Sequence, residues 1–559
     1  MLVDARSIEP GRVVDTDICV VGAGPAGIAI GHELQHSGQQ VLILESGGLG
    51  EEPELQSLND GVAGSVHHYT ARELRERRRQ VGGSAHLWGV TAAAGFDRLA
   101  RFVVPDSLGF EETSWLPNSG WPIDGQILAP YYERSFAMLG LGEYQDTPEV
   151  SDLGPFSGAG RLVTTVSRYA SGRVFTETLR NELLRAADVT LATRATASEL
   201  ELTPDGDLVT RVRVCTDGSR SFTVSARRFV LAAGGIENPR LLLMSNTKAV
   251  AGIGNGTDLV GRFFMEHPMV RVGVVILRDP AVIRSAGVYD LTLGAGIPQI
   301  GSLSIREDVR RSEQLQGFGA YLVPRHAVFG SEAIASLLTL VPAARSRRLP
   351  RDASRHAARL IRGLPQLAQM AVLRRRREQR HKESEGGWSE YEYQAGRYAA
   401  FQLSALVEQA PDRDNRVSLT DQRDEFGLPK ARLDWHWSGR DVDSLHRTCQ
   451  ILAEDLKVAG IGRFEPWISD DATGPDWFTG HHHMGTTRMS RDPNRGVVDE
   501  NGQVHGIGNL FVAGSSVFPT GLGHVNPTLT IVALAIRLAD RLRDSAAEPA
   551  RVSVASSAE

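Results

Sequence analysis

The stretch Thr16 to Glu45 constrains the fold more than any other. Asp17-Ile18-Cys19-Val20-Val21 is a short apolar run, Gly22-Ala23-Gly24-Pro25-Ala26-Gly27 is a glycine loop, helical periodicity follows through Leu34, and Val41-Leu42-Ile43-Leu44 is a second apolar run closed by Glu45. Strand, glycine turn, helix and strand in that order predict a parallel βαβ unit built to hold a dinucleotide. Gly22 allows the tight turn, Gly24 lets a pyrophosphate reach the backbone, and Gly27 lets helix and sheet approach. Glu45 is placed to bond ribose hydroxyls, and its charge argues against a 2'-phosphate. A glycine triplet alone often only turns a chain; the flanking strands and the placed acid make the difference. Pro25, Ala26 and Ser46 belong to the same predicted contact set.

The 559 residues suffice for two or three domains, and 41% hydrophobic content with 58 glycines describes a folded, turn-rich chain. A net charge of -6 carries no signature for nucleic acid. Cys19, Cys215 and Cys449 are odd in number and far apart, so reduced structural thiols are expected. No signal-peptide pattern opens the sequence, and no apolar run reaches the ~18 residues that span a bilayer, so a cytoplasmic location is expected.

Further along, Arg77-Arg78-Arg79-Gln80-Val81-Gly82-Gly83-Ser84-Ala85-His86-Leu87-Trp88-Gly89 combines basic residues, a double glycine and an aromatic. It reads either as a turn before a core tryptophan or as backbone amides facing a second side of the ligand. Two β-rich segments, Val189 to Leu202 and Leu208 to Cys215, precede Arg228-Phe229-Val230-Leu231-Ala232-Ala233-Gly234-Gly235, a buried strand stopping on glycines. Asn238-Pro239 is read as a helix restart there. Ala195, Ala233 and Gly234 join the predicted ligand contacts. Val270 to Ala320 alternates like a second sheet without any nucleotide signature. Arg345 to Lys382 holds thirteen Lys or Arg against two acids, with Leu360, Ile361, Leu364 and Leu367 at helical spacing. A solvated helical insertion is the favoured reading, and a helix on a membrane surface the alternative.

Gly480 to Arg543 concentrates the chemistry. His481, His482 and His483 run into Met484-Gly485-Thr486, and any of these imidazoles is a candidate base by composition. With no Asp, Glu or Cys cluster beside them, no metal site is expected. Asn509 to Ser515 reads as a buried strand ending on Gly514 and Ser515. Asn526 is read as the N-cap of a helix with Pro527 in its first turn and Thr528 following, and its positive end favours developing negative charge. His524 and His267 are candidates for the substrate pocket.

The glycine loop, the Gly82-Gly83-Ser84 run, Gly485-Thr486 and the Asn526 helix, in this order, resemble the glucose-methanol-choline (GMC) family of FAD-dependent oxidoreductases. The likeness spans most of the chain and is least clear over Val270 to Ser389. It implies a mixed α/β fold: a Rossmann-like FAD-binding domain assembled from discontinuous segments, with a substrate domain containing an antiparallel sheet and helices. The expected division is 12–110, 184–269 and 475–543 for the FAD domain, 111–183 for a cap and connection, 270–474 for the substrate domain with an arginine-rich insertion near 340–385, and 544–559 for a disordered tail.

By the same resemblance, a histidine three positions before the glycine of the Gly-Thr pair works with a residue at the start of the last helix. Those positions hold His482 and Asn526, a His-Asn pair similar to the pyranose-oxidase, fructose-dehydrogenase and glycoside-3-dehydrogenase branch. This implies oxidation of a small polyhydroxylated alcohol, a sugar, glycoside or aminocyclitol, with electrons passing to oxygen or another acceptor. Some members attach FAD through a histidine four positions after the double glycine; Leu87 stands there, with His86 one place earlier, so FAD is expected to be non-covalent. The alternative is a flavin-containing, hydroxynitrile-lyase-like enzyme of the same fold without net redox chemistry.

Overall fold

The computed structural model describes residues 1–64, 74–88, 98–145, 149–150, 154–156, 160–294, 296–345, 352–375, 388–389, 398–468 and 477–544; Gly89, Arg376, Arg377 and the tail beyond 544 lie outside them.

Val13–Val21 is central to an eight-stranded, mainly parallel sheet. On one side it pairs with Val41–Leu44, which continues through Val189–Thr193 to Leu2–Asp4. On the other it pairs with Ser221–Leu231. That eleven-residue strand takes two partners on its far edge: antiparallel Val209–Cys215 at one end and parallel Leu510–Val512 at the other. Consecutive residues such as Ile18 to Val21 and Val41 to Leu44 are all buried, the pattern of parallel strands covered on both faces. The helix Pro25–Leu34 packs against the C-terminal helix Thr528–Asp544, bringing the glycine loop and the last catalytic candidate onto one side of the sheet.

A second, ten-stranded antiparallel sheet runs in the order Gly462–Pro466, Met269–Leu277, Ala400–Val407, Phe318–Arg325, Ile297–Ile305, Leu162–Ser171 and Leu99–Phe102, with three short strands off this path. Leu99–Phe102 and Leu162–Ser171 fall in segments that the sequence reading kept apart from this sheet. Their membership was hidden because both faces of the sheet are covered: Ala400–Val407 is buried at every position, which erases the alternation a half-exposed strand shows. One face meets an apolar core containing Phe401, Trp388 and residues of the helix Gly439–Val458. The other carries buried hydroxyls, Thr165 Oγ1 lying 2.7 Å from Ser302 Oγ and 3.0 Å from Ser304 Oγ.

The β-rich segment Val189 to Leu202 is two strands, because Arg194 takes a left-handed φ of 56° and sends Thr196–Leu202 to the antiparallel edge. Two local expectations are corrected. The helix near Asn238 already starts at Gly234; Asn238 lies inside it and accepts the Ala233 N–H at Oδ1 (2.8 Å). The last helix starts at Thr528, and the Asn526 side chain is occupied elsewhere, as described below.

In the arginine-rich region the described residues form helices Glu332–Arg345, Ala353–Arg362 and Leu364–Arg375, on which Ile361, Leu364 and Val372 are exposed. No described helix is long and apolar enough to cross a membrane.

Candidate active site

Two loops from distant parts of the chain are tied together where the histidines lie. Met265 and Met484 exchange both backbone hydrogen bonds at 3.0 Å, so His267 and His482 come side by side. Gly485 has a left-handed φ of 87°, and a Cβ there would stand 2.1 Å from the Phe263 carbonyl oxygen, so this close approach requires glycine. Beneath the pair lies Glu266, fully buried. Its Oε1 accepts the backbone N–H groups of His482 (2.6 Å) and His267 (3.0 Å), and its Oε2 accepts from Thr479 Oγ1 (2.7 Å). Burial pushes this carboxyl up, against the charge of His481 and those donors.

The three histidines diverge. His481, at a strained φ of 56°, turns its Nε2 to Glu76 Oε2 at 3.4 Å. His483 is buried beside Phe264, with Nε2 3.8 Å from Glu266 Oε2. His482 Nδ1 is 3.1 Å from His267 Nδ1, and its Nε2 is 3.1 Å from Asn526 Nδ2. Among the described residues no three His, Cys, Asp or Glu converge as a metal site would require.

The polarity of this last chain follows from one fixed donor. Arg101 Nε donates to Asn526 Oδ1 at 2.6 Å. A guanidinium only donates, so the amide oxygen faces Arg101 and the amide NH₂ faces His482. His482 Nε2 is therefore the acceptor, its proton sits on Nδ1, and Nδ1–H donates to His267 Nδ1. Burial first, then the neighbouring His267 and Arg101, hold the His482 pKa well below the ordinary imidazole value, while burial lowers His267 to about 3. Both rings are neutral at neutral pH, and His482 presents an unprotonated nitrogen beside an amide donor.

A cleft of about 1430 Å³, open mouth included, leads from the glycine loop to His481, His482 and His483. Of the predicted contacts, Gly22, Gly24, Pro25, Ala26, Glu45 and Ser46 line one part; Gly83, Ser84, Trp88, Ala195, Ala233 and Gly234 another; Gly514, Ser515, Pro527 and Thr528 the part near the histidines. Gly27 and Gly82 lie behind the lining: a Cβ on Gly27 would be 2.0 Å from the Gly22 oxygen, and Gly82 packs on Thr176 and His86. His267 is a correction to the predicted pocket: it stands behind His482, fully buried, with Nε2 against Gly521. His524 is buried with its Nε2 3.4 Å from Thr165 Oγ1, in the hydroxyl network of the antiparallel sheet.

Residues 411–535 match the GMC oxidoreductase family and residues 17–251 the FAD dependent oxidoreductase family. Over these stretches the chain is similar to the GMC and FAD-dependent oxidoreductases. It is 24% identical to 2-methyl-1,2-propanediol dehydrogenase of Mycolicibacterium austroafricanum over 94% of each chain. It is 27% identical to the fructose dehydrogenase large subunit of Gluconobacter japonicus over 60% of this chain and 50% of that one. Formate oxidase shares the fold, with a TM-score of 0.54 at 16% identity, covering 96% of this chain and 99% of that structure. These likenesses mark the chain as an FAD-dependent oxidoreductase acting on CH–OH donors.

The cleft suits that cofactor on its own chemistry. The helix Pro25–Leu34 has no side-chain cap at Gly24, so the N–H groups of Ala26 and Gly27 are left for an anion, and a Cβ on Gly24 would meet no atom within 4 Å. Glu45 is buried beside them, its Oε2 accepting the Ala23 N–H at 3.0 Å and its Oε1 the Gly47 N–H at 2.8 Å. Burial raises its pKa against those two donors. Glu45 therefore also braces the glycine loop.

Sequence reasoning missed three parts of this site. Arg101 occupies an inward position on a strand otherwise reading as core, Glu266 precedes His267 in Met265-Glu266-His267-Pro268, and Glu237 gathers Arg77 and Arg79, each at 2.6 Å. Arg77 and Arg79 of the basic run are thereby committed to an internal ion cluster that Arg240 and Asp424 extend at 2.6 Å, while Arg78 pairs with Glu51. An arginine alternating with Leu99 on an apolar strand was the one available signal.

Proposed function

We propose that the enzyme oxidises a secondary hydroxyl of a polyhydroxylated alcohol to a carbonyl, with His482 as the base and Asn526 as the amide that holds the oxygen. The approach of His482 Nε2 to Asn526 Nδ2, 3.1 Å, carries this reading. A hydroxyl lodged against both atoms meets an acceptor for its proton and a donor for its oxygen. When bound, FAD supplies the hydride acceptor, N5 of its ring system. As the proton moves to His482 Nε2, negative charge grows on the substrate oxygen. Asn526, polarised by Arg101, bonds that charge more strongly than it bonds the neutral hydroxyl, which is what lowers a barrier.

Ala26 and Gly27 would hold the pyrophosphate, Glu45 the ribose, and Trp88, Ser515 and Thr528 the ring end of FAD. Thr528 opens a seventeen-residue helix whose positive end favours negative charge on the ring. A diol and a ketose are named as the substrates of two relatives, which supports a polyhydroxylated donor. Anaerobic addition of sugars, glycosides and aminocyclitols tests the reading. At least one should bleach the flavin absorbance; flavin that stays oxidised throughout ends it.

The cofactor is held without a covalent bond in this reading. Leu87 occupies the position of the attaching histidine, and His86 turns Nε2 back to the Val81 carbonyl at 2.8 Å. Acid precipitation should therefore release FAD into the supernatant, and a yellow pellet would overturn this.

A further inference from the structure

Among the described residues the Arg101 guanidinium meets no counter-charge. It lies on the edge strand Leu99–Phe102, bonds Asn526 through Nε, and stacks 4.6 Å from the Tyr321 ring centroid. Among the described residues no carboxylate comes within ion-pair distance of it. Several interior arginines are met by a carboxylate, Arg79 by Glu237, Arg240 by Asp424 and Arg310 by Asp106, while Arg488, stacked on Phe263, is the other one without such a partner among the described residues. An unpaired buried cation is costly, and this one stays charged at neutral pH, since burial lowers its pKa only to about 10.

Two donors are left over at this place. Arg101 Nη1 is buried without a hydrogen-bond partner, and so is the hydroxyl of Tyr321, whose ring the guanidinium covers. A leftover N–H and O–H beside an uncompensated positive charge match the two oxygens of a carboxylate, which accepts at both and neutralises the arginine. A phosphate would bring more acceptor oxygens and charge than two donors satisfy. Asn526 joins this spot to the proposed reaction centre: Oδ1 takes the Arg101 N–H, while Nδ2 faces His482. The anionic group is therefore placed on the same part of the substrate as the carbinol.

We propose that Arg101, with Tyr321, is the recognition site for a substrate carboxylate, so that the alcohol oxidised is a hydroxy-acid anion. This rests on the reading of His482 and Asn526 as the point where the hydroxyl sits, and it narrows the polyhydroxylated class to its acids. Tyr321 stands on Phe318–Arg325, next to Ile297–Ile305 with Ser302 and Ser304. The buried hydroxyls of this face thus continue away from the charge.

The test uses the yellow holoenzyme and 2-hydroxyisobutyrate, a tertiary alcohol with no carbinol hydrogen to give up, against its neutral amide. Calorimetry and the shift of flavin absorbance report binding without turnover. The acid should bind about 10- to 100-fold more tightly than the amide, the worth of a charge-assisted pair. Arg101→Met should abolish the preference and Tyr321→Phe should reduce it without disturbing Asn526. Equal binding of acid and amide overturns the proposal. So does an intact preference in Arg101→Met, or a lowered flavin midpoint potential in that variant with acid binding unchanged, which would give the charge to the cofactor. In His482→Ala the preference should persist. If secondary hydroxy acids also reduced the flavin normally in that variant, the base assignment would fail while the carboxylate site stood.

Discussion

Replacing His482 with alanine should leave a yellow, folded enzyme whose flavin is reduced roughly 10²- to 10⁴-fold more slowly by a good alcohol substrate, the usual contribution of a positioned base. The cofactor cleft draws most of its lining from the glycine loop, the Trp88 turn and the strand ends, so loss of one imidazole at its far end removes little of the binding surface. His481→Ala and His483→Ala should lose less, because the first faces Glu76 and the second packs on Phe264. Anaerobic stopped-flow decides: normal reduction in His482→Ala with collapse in either neighbour would move the base. The pH profile carries an independent sign. The His482 pKa is depressed in the folded enzyme, so its Nε2 is already unprotonated throughout the neutral range. The wild-type reduction rate should stay flat there and fall only as pH drops below the ordinary imidazole range of about 6.5. A rate that falls between pH 8 and 7 would contradict the protonation chain drawn from Arg101.

What the sequence made legible and what it hid follow from the distance over which each feature is built. The glycine loop, its strands and Glu45 form one local unit, and each residue has its reason within thirty positions of the next. The last helix was legible for the same reason, but its first residue was not. Asn526 followed by proline satisfies the local rule for a helix cap, and only the structure shows the amide drawn away by Arg101, 425 positions earlier. His482 and His267 are 215 positions apart and meet through a two-residue backbone bridge with no local signature. His267 was a candidate for the substrate pocket and lies buried behind His482, since nothing in Met265-Glu266-His267-Pro268 says which side faces the ligand. The antiparallel sheet was under-read because strands covered on both faces lose their alternation. Leu162–Ser171 and Ala400–Val407 are thus invisible to a period-two search, whereas their pairing partners Ile297–Ile305 and Met269–Leu277 fall in the stretch read as a sheet.

Replacing His267 with leucine should slow flavin reduction by about 10- to 100-fold, the cost found at metal centres when an oriented imidazole loses its hydrogen-bond partner. Leucine fills the buried volume but leaves the His482 Nδ1–H with no acceptor, so the ring is free to exchange tautomers or turn, and Nε2 no longer faces the substrate as a fixed base. His267→Gln should recover much of the rate, because its side-chain oxygen can accept the same N–H. The pH profile separates a positioning residue from a structural one. His267 contributes to holding the His482 pKa down, so its loss should move the acid limb of the rate profile up towards the ordinary imidazole range. Damage confined to packing would lower FAD content or melting temperature and leave that limb where it was. An unmoved limb, with no recovery in His267→Gln, would make His267 a core histidine and leave the orientation of His482 to Asn526 and the Glu266-held backbone alone.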